Sequence, residues 1–547
     1  MYFIISFFFF FFSLLGVLIS LIMSMTSSIY MSFWEFIFFN SFKMEYLILF
    51  DWISVMFMSV VFMIFSMIMV YSYDYMSGYL FNMRFIMLMG LFLLSMIFMI
   101  LSPNLISIML GWDGLGLISY SLIILNQNKI SYNSGMITLM MNRVGDIFLL
   151  VLIGFFLKNG SWNIIEFYKD SFLMMFLVIV MSKSAQYPFS IWLPLAMTAP
   201  TPVSALVHSS TLVTAGVYFL MRGIELMEEW MLGGLMILSL FTMFYSSLMA
   251  NFENDMKKVV ALSTLSQLGL MMFILCFKHK ILCFFHLVTH AFFKSLLFMC
   301  VGYIMHLMMG FQDIRYMKFL HKINPMLLMM MIYSLLSMCG FFFLSGFYSK
   351  DLILEYFFMS KVSYFYLIIF YVSCMFTVSY SLRLIILMLM GNTKNLIMMS
   401  LTDYNMKLYS MIVLWLMSLI LGSLMGWMFI SGKVIIIFGW EKMMILMILV
   451  LGMIFLGVVI KLSNTMLFPK SYYFVSSMWF LDLILNIYVN KVVNYMKLEF
   501  MFFEKGWGEY MLINWVNEFE KIVFYMNFLI KKVAFILLIF VIIMLFY

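Results

Sequence analysis

Residues 172–218 read FLMMFLVIVMSKSAQYPFSIWLPLAMTAPTPVSALVHSSTLVTAGVY, and the fold follows from how this stretch can sit in a bilayer. Lys183 follows the apolar run Phe172–Met181 and precedes Tyr187, Phe189, Ile191 and Trp192, so an amine stands near the middle of a membrane-length segment. A charge at that depth costs about 2.5–3.5 kcal/mol and therefore faces a bundle interior or a hydrated cavity. Pro188, Pro194, Pro200 and Pro202 follow, four of the seven prolines in the chain. Proline removes a backbone donor and disfavours helix at the residue before it. A helix broken at membrane depth is tolerated only inside protein or beside water. The next apolar segment carries His208. A buried lysine, a broken helix and a histidine in sequence are the parts of an ion-conducting site.

Outward from this stretch the composition is uniform. The chain is 66% hydrophobic and 10% charged, with a mean hydropathy of +1.11, which excludes an ordinary soluble domain. Fifteen apolar runs of about 20 residues, from 2–22 to 530–547, are each long enough to cross a bilayer. The run at 326–357 is longer than one crossing needs, as a broken or tilted helix would be. The expected fold is an all-α, polytopic membrane protein. The net charge of +7 is spread over inter-span positions such as Lys257–Lys258, Lys278–Lys280 and Lys531–Lys532, a topology-setting pattern rather than a nucleic-acid footprint. Five cysteines scattered in apolar segments with no CxxC pair indicate neither a metal site nor a disulfide framework. The N-terminus lacks the Arg-rich character of a transit peptide and is expected to be a first span.

Other segments carry ionisable groups at depth. Residues 23–52, with Trp34, Glu35, Lys43 and Glu45, read as an extramembrane excursion. Asp113 is the one ionisable residue of the run 104–125 and lies near its centre, so it needs a partner or water. Arg143 and Asp146, three apart, share a helical face and can pair; a structural ion pair and a functional one are both open. His286, His290 and Lys294 recur every four residues on one stripe. Zinc binding lacks a third ligand and the glutamate of His-Glu-x-x-His. A proton relay suits the stripe better, since imidazole titrates near neutrality and a desolvated amine can also exchange there. Gly340, Gly346, Lys350 and Asp351 interrupt the run 326–357 as a second broken helix would; Lys350 snorkelling from a shorter span is the alternative.

These features suggest two inverted five-helix repeats, 83–222 and 232–390, with Lys183 and Lys350 each on the fourth span and breaks at Pro200, Pro202 and Gly346. Residues 1–82 supply N-terminal spans and the excursion, and 391–471 two further spans. Residues 472–529 mix charges with aromatics, as a lateral amphipathic segment would, and 530–547 form a final anchor. A helix leaving its bundle and tied down by a last span implies a partner surface.

The motifs GWDGLGLISY at 111–120, NRVGD at 142–146, KSAQ at 183–186, APTPVSALVH at 199–208, LSTLSQLG at 262–269, HLVTHAFFK at 286–294, QDIR at 312–315 and GFYSKD at 346–351 resemble the antiporter-like membrane subunits of mitochondrial NADH:ubiquinone oxidoreductase, complex I. The C-terminal stretch with Lys505-Gly506-Trp507 is similar to the lateral helix of its subunit 5 family. The resemblance implies proton-handling roles for Asp113, Lys183, His208, His286, His290, Lys294, Lys350 and Asp351. It also implies a multi-pass inner-membrane location, with neighbouring membrane-arm subunits, accessory subunits and lipids as partners and no nucleic acid. No cofactor or metal is expected in this chain; FMN, iron–sulfur clusters, NADH and ubiquinone belong to the complex as a whole. A secondary cation/proton antiporter subunit of the Mrp type is the alternative, and a purely structural membrane scaffold a second. Asp113 stands where the family commonly has glutamate, so its reach to Lys183 is shorter.

Overall fold

The computed structural model describes residues 1–39, 42–79, 81–157, 160–164, 173–317, 324–360, 363–389, 405–429, 438–465, 469–481, 487, 490–497, 518–526 and 532. It divides into two units, Met1–Ser476 and Ser477–Tyr547. The first is built from helices α1 (Tyr2–Thr26), α2 (Trp52–Tyr75), α3 (Asn82–Leu101), α4 (Leu105–Ile123), α5 (Lys129–Phe156) and α6 (Leu173–Lys183). Helix α7 (Thr201–Leu226) is followed by α8 (Glu229–Ala250), α9 (Met256–Cys276), α10 (Lys280–Leu307), α11 (Pro325–Cys339) and α12 (Ser345–Met359). The last are α13 (Tyr364–Leu389), α14 (Asn405–Phe429), α15 (Gly439–Thr465) and α16 (Pro469–Ser476).

Among the described residues twelve helices are long and apolar enough to cross a membrane. They coincide with twelve of the fifteen runs expected from sequence. Runs 172–195 and 326–357 are assembled from shorter helices, and 530–547 lies, apart from residue 532, outside the described residues. Most of the lateral segment 472–529 also lies outside them. In the second unit the described parts include a turn at Met478–Phe480 and an exposed Glu518–Lys521 ion pair at 2.9 Å.

The excursion at 23–52 departs from an all-helical chain. Tyr30–Phe39 (β1) and Phe42–Phe50 (β2) pair antiparallel, with Tyr30 opposite Phe50 and Trp34 opposite Tyr46. Aromatic and β-branched residues in partial alternation favour a pleated, half-solvated ribbon over a helix here. Asp51 then closes a capping box with Ser54 and starts α2.

Helix α1 packs along α2 through a seam of small residues. Ser6, Ser13 and Ser20 are buried at seven-residue spacing, and Gly16 faces Ser59 with no room for a side chain. Small residues let helix backbones approach where lipid supplies no hydrophobic drive between helices. Helices α7, α9 and α10 are almost wholly covered by other helices, whereas α1 and α15 show most of their surface outward. His208, His286, His290 and Lys294 therefore sit on the innermost elements, whereas Asp113, Arg143 and Asp146 are on the less covered α4 and α5.

Two features recur. The sets α3–α7 and α8–α13 each run long, long, long, broken, long. In each, the residue capping the second helix pairs with the loop after the third: Leu105 N donates to Trp162 O and Ile164 N to Pro103 O, while Met256 N donates to Gln312 O and Ile314 N to Asn254 O, all at 3.0–3.1 Å. The paired residues are Asn104 with Asn163 and Asp255 with Asp313.

The second break differs from the sequence expectation. Helix α11 ends on Gly340, whose φ of 82° suits a residue without Cβ, and the chain turns through Phe341–Leu344. Gly346 lies inside the first turn of α12 rather than at the break. Its role is contact, because a Cβ there would run into the Ser337 carbonyl of α11.

Candidate functional site

Helix α6 ends at Lys183 because Ala185 takes a left-handed conformation (φ 54°) and Pro188 has no donor. Short turns at Phe189–Ile191, Trp192–Leu195 and Ala196–Thr198 carry the chain to Pro200, which is extended, and Pro202 falls in the first turn of α7. Lys183 is fully buried. Its Nζ donates to the Trp112 carbonyl at 3.1 Å and lies 5.0 Å from the centre of that indole. Gly116 lines this amine, and a Cβ there would meet it at 3.5 Å, an ordinary contact.

The carboxylates near Lys183 are engaged by Arg143. Its Nη1 lies 3.5 Å from Asp113 Oδ2 and 3.4 Å from Asp146 Oδ2, one guanidinium bridging α4 and α5. The other oxygen of each carboxylate is buried with no hydrogen-bond partner among the described residues. Asp113 thus sits one residue from the carbonyl that holds Lys183, and its ion pair is made elsewhere.

Residues Ser204–Thr211 form a π-helical stretch inside α7, with His208 in it. Such wide turns leave a backbone carbonyl to spare and recur at functional sites. His208 is buried beside Trp192, with ring centres 6.2 Å apart, and neither ring nitrogen has a hydrogen-bond partner among the described residues. Trp192 Nε1 in turn donates to the Ser182 carbonyl at 3.0 Å, tying the break to α6.

The stripe on α10 is wholly buried. His286 Nδ1 is 2.9 Å from Ser349 Oγ and its Nε2 3.3 Å from Gln267 Oε1. The rings of His286 and His290 are 6.2 Å apart, and both His290 nitrogens lack hydrogen-bond partners among the described residues. Lys294 Nζ donates to Ser263 Oγ at 2.5 Å. Lys350 Nζ donates to the Met338 carbonyl, beside a 30 Å³ cavity lined by Gly340, Lys350, Asp351, Cys374 and Thr377 among others. That volume has room for about two water molecules. Lys350 is buried rather than snorkelling.

Sequence reasoning missed several of these groups. Lys257, taken as an outer charge, is buried, and its Nζ donates to the Ala199 carbonyl at 3.2 Å; only Lys258 of that pair is half-exposed, 3.0 Å from Asp255. An exposed and an inward lysine alternate at a helix start, which composition cannot separate. Asp51 holds Arg222 through both guanidinium ends, with Nη2 at 2.8 Å, and Arg222 also donates to Tyr218 Oη at 2.7 Å. Burial raises the Asp51 carboxyl, but Arg222 and Ser54 outweigh it and hold the group below 3.8. Among the described residues no three His, Cys, Asp or Glu side chains are placed to hold a metal ion.

The family described as NADH:quinone oxidoreductase/Mrp antiporter, TM, matches residues 102–377, and the NADH dehydrogenase subunit 5 C-terminus matches 380–547. The chain is 45% identical over 514 residues to NADH-ubiquinone oxidoreductase chain 5 of Anopheles quadrimaculatus, covering 90% of this chain and 88% of that one. It is 46% identical over 501 residues to the protein of the same name from Aedes aegypti, covering 88% and 86%. A chain in the structure of the Mrp complex from Dietzia sp. DQ12-45-1b shares the fold, with a TM-score of 0.72, 21% identity, and coverage of 89% of this chain and 57% of that one. Residues 102–377 are matched by a profile shared with antiporters, and residues 380–547 by one specific to this subunit. The chain belongs to the NADH-ubiquinone oxidoreductase chain 5 family.

Proposed function

We propose that this chain is a proton-translocating membrane-arm subunit of respiratory NADH:ubiquinone oxidoreductase, multi-pass in the mitochondrial inner membrane. NADH oxidation by FMN and iron–sulfur clusters, and quinone reduction, take place on other subunits. One observation carries the reading. Lys183, Lys294 and Lys350 are buried at 0%, 0% and 7% exposure, and their amines rest on a carbonyl, a hydroxyl and a carbonyl respectively. A structural buried lysine is normally held by a carboxylate. An amine on neutral oxygens can be charged or neutral according to what approaches it, which is what a relay requires.

Asp113 supplies the approach. Turned to Arg143 it leaves Lys183 with a carbonyl and an indole; turned to Lys183 it stabilises the ammonium. Withdrawal of the carboxylate releases the proton towards His208, the α10 stripe and Lys294. Buried imidazole nitrogens without hydrogen-bond partners among the described residues, on His208 and His290, are positions where ordered water belongs. Lys350 exchanges with the cavity it shares with Asp351. The sets α3–α7 and α8–α13 are read as two inverted units, supported by the matching helix order and the repeated backbone clamp. Neighbouring membrane-arm subunits, accessory subunits and lipids are the partners of this reading, and the motion of Asp113 is driven through them.

The Mrp-type antiporter reading is favoured by the shared fold but not by the C-terminal match. The test is native purification with assay of NADH-driven quinone reduction and proton uptake. Migration in a large complex with both activities supports the reading; a small assembly exchanging cations for protons without NADH oxidation overturns it.

A further inference from the structure

A second buried polar cluster lies where the ends of α2 and α10 meet the start of α14. Lys407 is fully buried, with its Nζ 5.8 Å from the ring centre of Tyr303 and 6.0 Å from that of Tyr75. Aromatic faces hold a cation without neutralising it. Asp74, the residue before Tyr75, stands in the last turn of α2, and its Oδ2 is buried with no hydrogen-bond partner among the described residues. His306 is half-buried at the end of α10, its ring 6.0 Å from Tyr75, and its Nδ1 has no hydrogen-bond partner among the described residues.

The cluster lies further along α10. From Lys294, steps of four residues reach Phe298, Gly302 and His306, each step winding about 40° round the helix towards its C-terminal end. Gly302 leaves space on the way: a Cβ there would lie 2.6 Å from both Thr201 Oγ1 and Tyr71 Oη. The Tyr71 ring in turn stacks on that of Tyr75, with 5.7 Å between ring centres. Buried hydroxyls therefore lead from Gly302 to the rings around Lys407. His286, which touches Ser349 next to Lys350, and His306 are 306 − 286 = 20 residues apart on one helix. That is roughly 30 Å of helix, the thickness of a hydrocarbon core. Lys350 and Lys407 thus lie near opposite ends of α10.

We propose that Asp74, His306 and Lys407 form a proton port through which Lys294 exchanges protons with the aqueous phase at the C-terminal end of α10. This rests on the proton-translocation reading. A proton leaves the Lys407 ammonium, passes along the Tyr71 and Thr201 hydroxyls and intervening water, and arrives on the neutral Lys294 amine. Lys407 is left neutral and takes a replacement proton through His306.

The experiment uses the intact complex in proteoliposomes and reads protons moved per NADH oxidised. Lys407→Arg keeps the positive charge but cannot release a proton, and Gly302→Ala presses on the hydroxyl pair without touching a charge. Each is expected to lower the ratio by about two-fold or more while the complex assembles. Lys294→Met is the reference. If Lys294→Met loses pumping and Lys407→Arg keeps it in full, the port is overturned and the relay stands. If Lys294→Met also pumps normally, the relay itself fails. If Lys407→Arg does not assemble, Gly302→Ala decides: an unchanged ratio overturns the port.

Discussion

Asp113 carries the largest consequence for a single side chain. It stands between a guanidinium it already meets at 3.5 Å and an amine whose carbonyl partner is its neighbour Trp112. Asp113→Asn removes the charge that loads Lys183, and proton uptake per unit time is expected to fall about ten-fold or more. Asp113→Glu, with one more methylene, reaches both cations and is expected to keep activity; loss in both variants equally would show that placement rather than charge is limiting. Asp51 tests electrostatics outside the spans. Asp51→Asn leaves Arg222 without its bidentate partner and is expected to cost about 1.5–3 kcal/mol, read as a lower melting temperature of the purified complex. The Asp51 carboxyl is depressed below 3.8 by Arg222. Its contribution is therefore fully present above pH 3.8 and lost as pH falls through the lower folded-state value. The gap in stability between variant and unaltered complex should close only in that acid window.

At the scale of elements, the broken helices depend on close backbone approach. Helices α11 and α12 meet where Gly346 faces the Ser337 carbonyl. Gly346→Ala forces them apart and is expected to cost about 1–3 kcal/mol through overpacking, while displacing Lys350 from its cavity. A melting curve together with pumping of the assembled complex checks this; unchanged values in both would show that the two pieces are not held at this contact. The first break was legible in sequence because four prolines cluster after Lys183. The second was placed at Gly346, since both glycines fit a break and only the backbone conformation of Gly340 distinguishes them. The hairpin at Tyr30–Phe50 was read as an excursion without its strands, because its alternation is incomplete and interrupted by a bulge between Glu35 and Ile37.

Across the whole molecule, periodicity and run length gave the helical membrane fold, and the four-residue spacing of His286, His290 and Lys294 gave their common face. Partner choice was not legible. Nothing in the spacing of Arg143 and Asp146 says that Arg143 also reaches Asp113 on another helix, and Lys257 and Lys407 look like ordinary flanking charges until tertiary packing buries them. If Lys183 and Lys294 act in series, the Lys183→Met, Lys294→Met double variant should pump no less than the worse single variant. A further fall in the double variant would show two independent routes. The central claim, that protons cross through amines buried on neutral oxygens, is tested most directly by protons moved per NADH in the assembled complex carrying Lys183→Met. The account predicts a ratio well below that of the unaltered complex, with the subunit still in place. An unchanged ratio would contradict it.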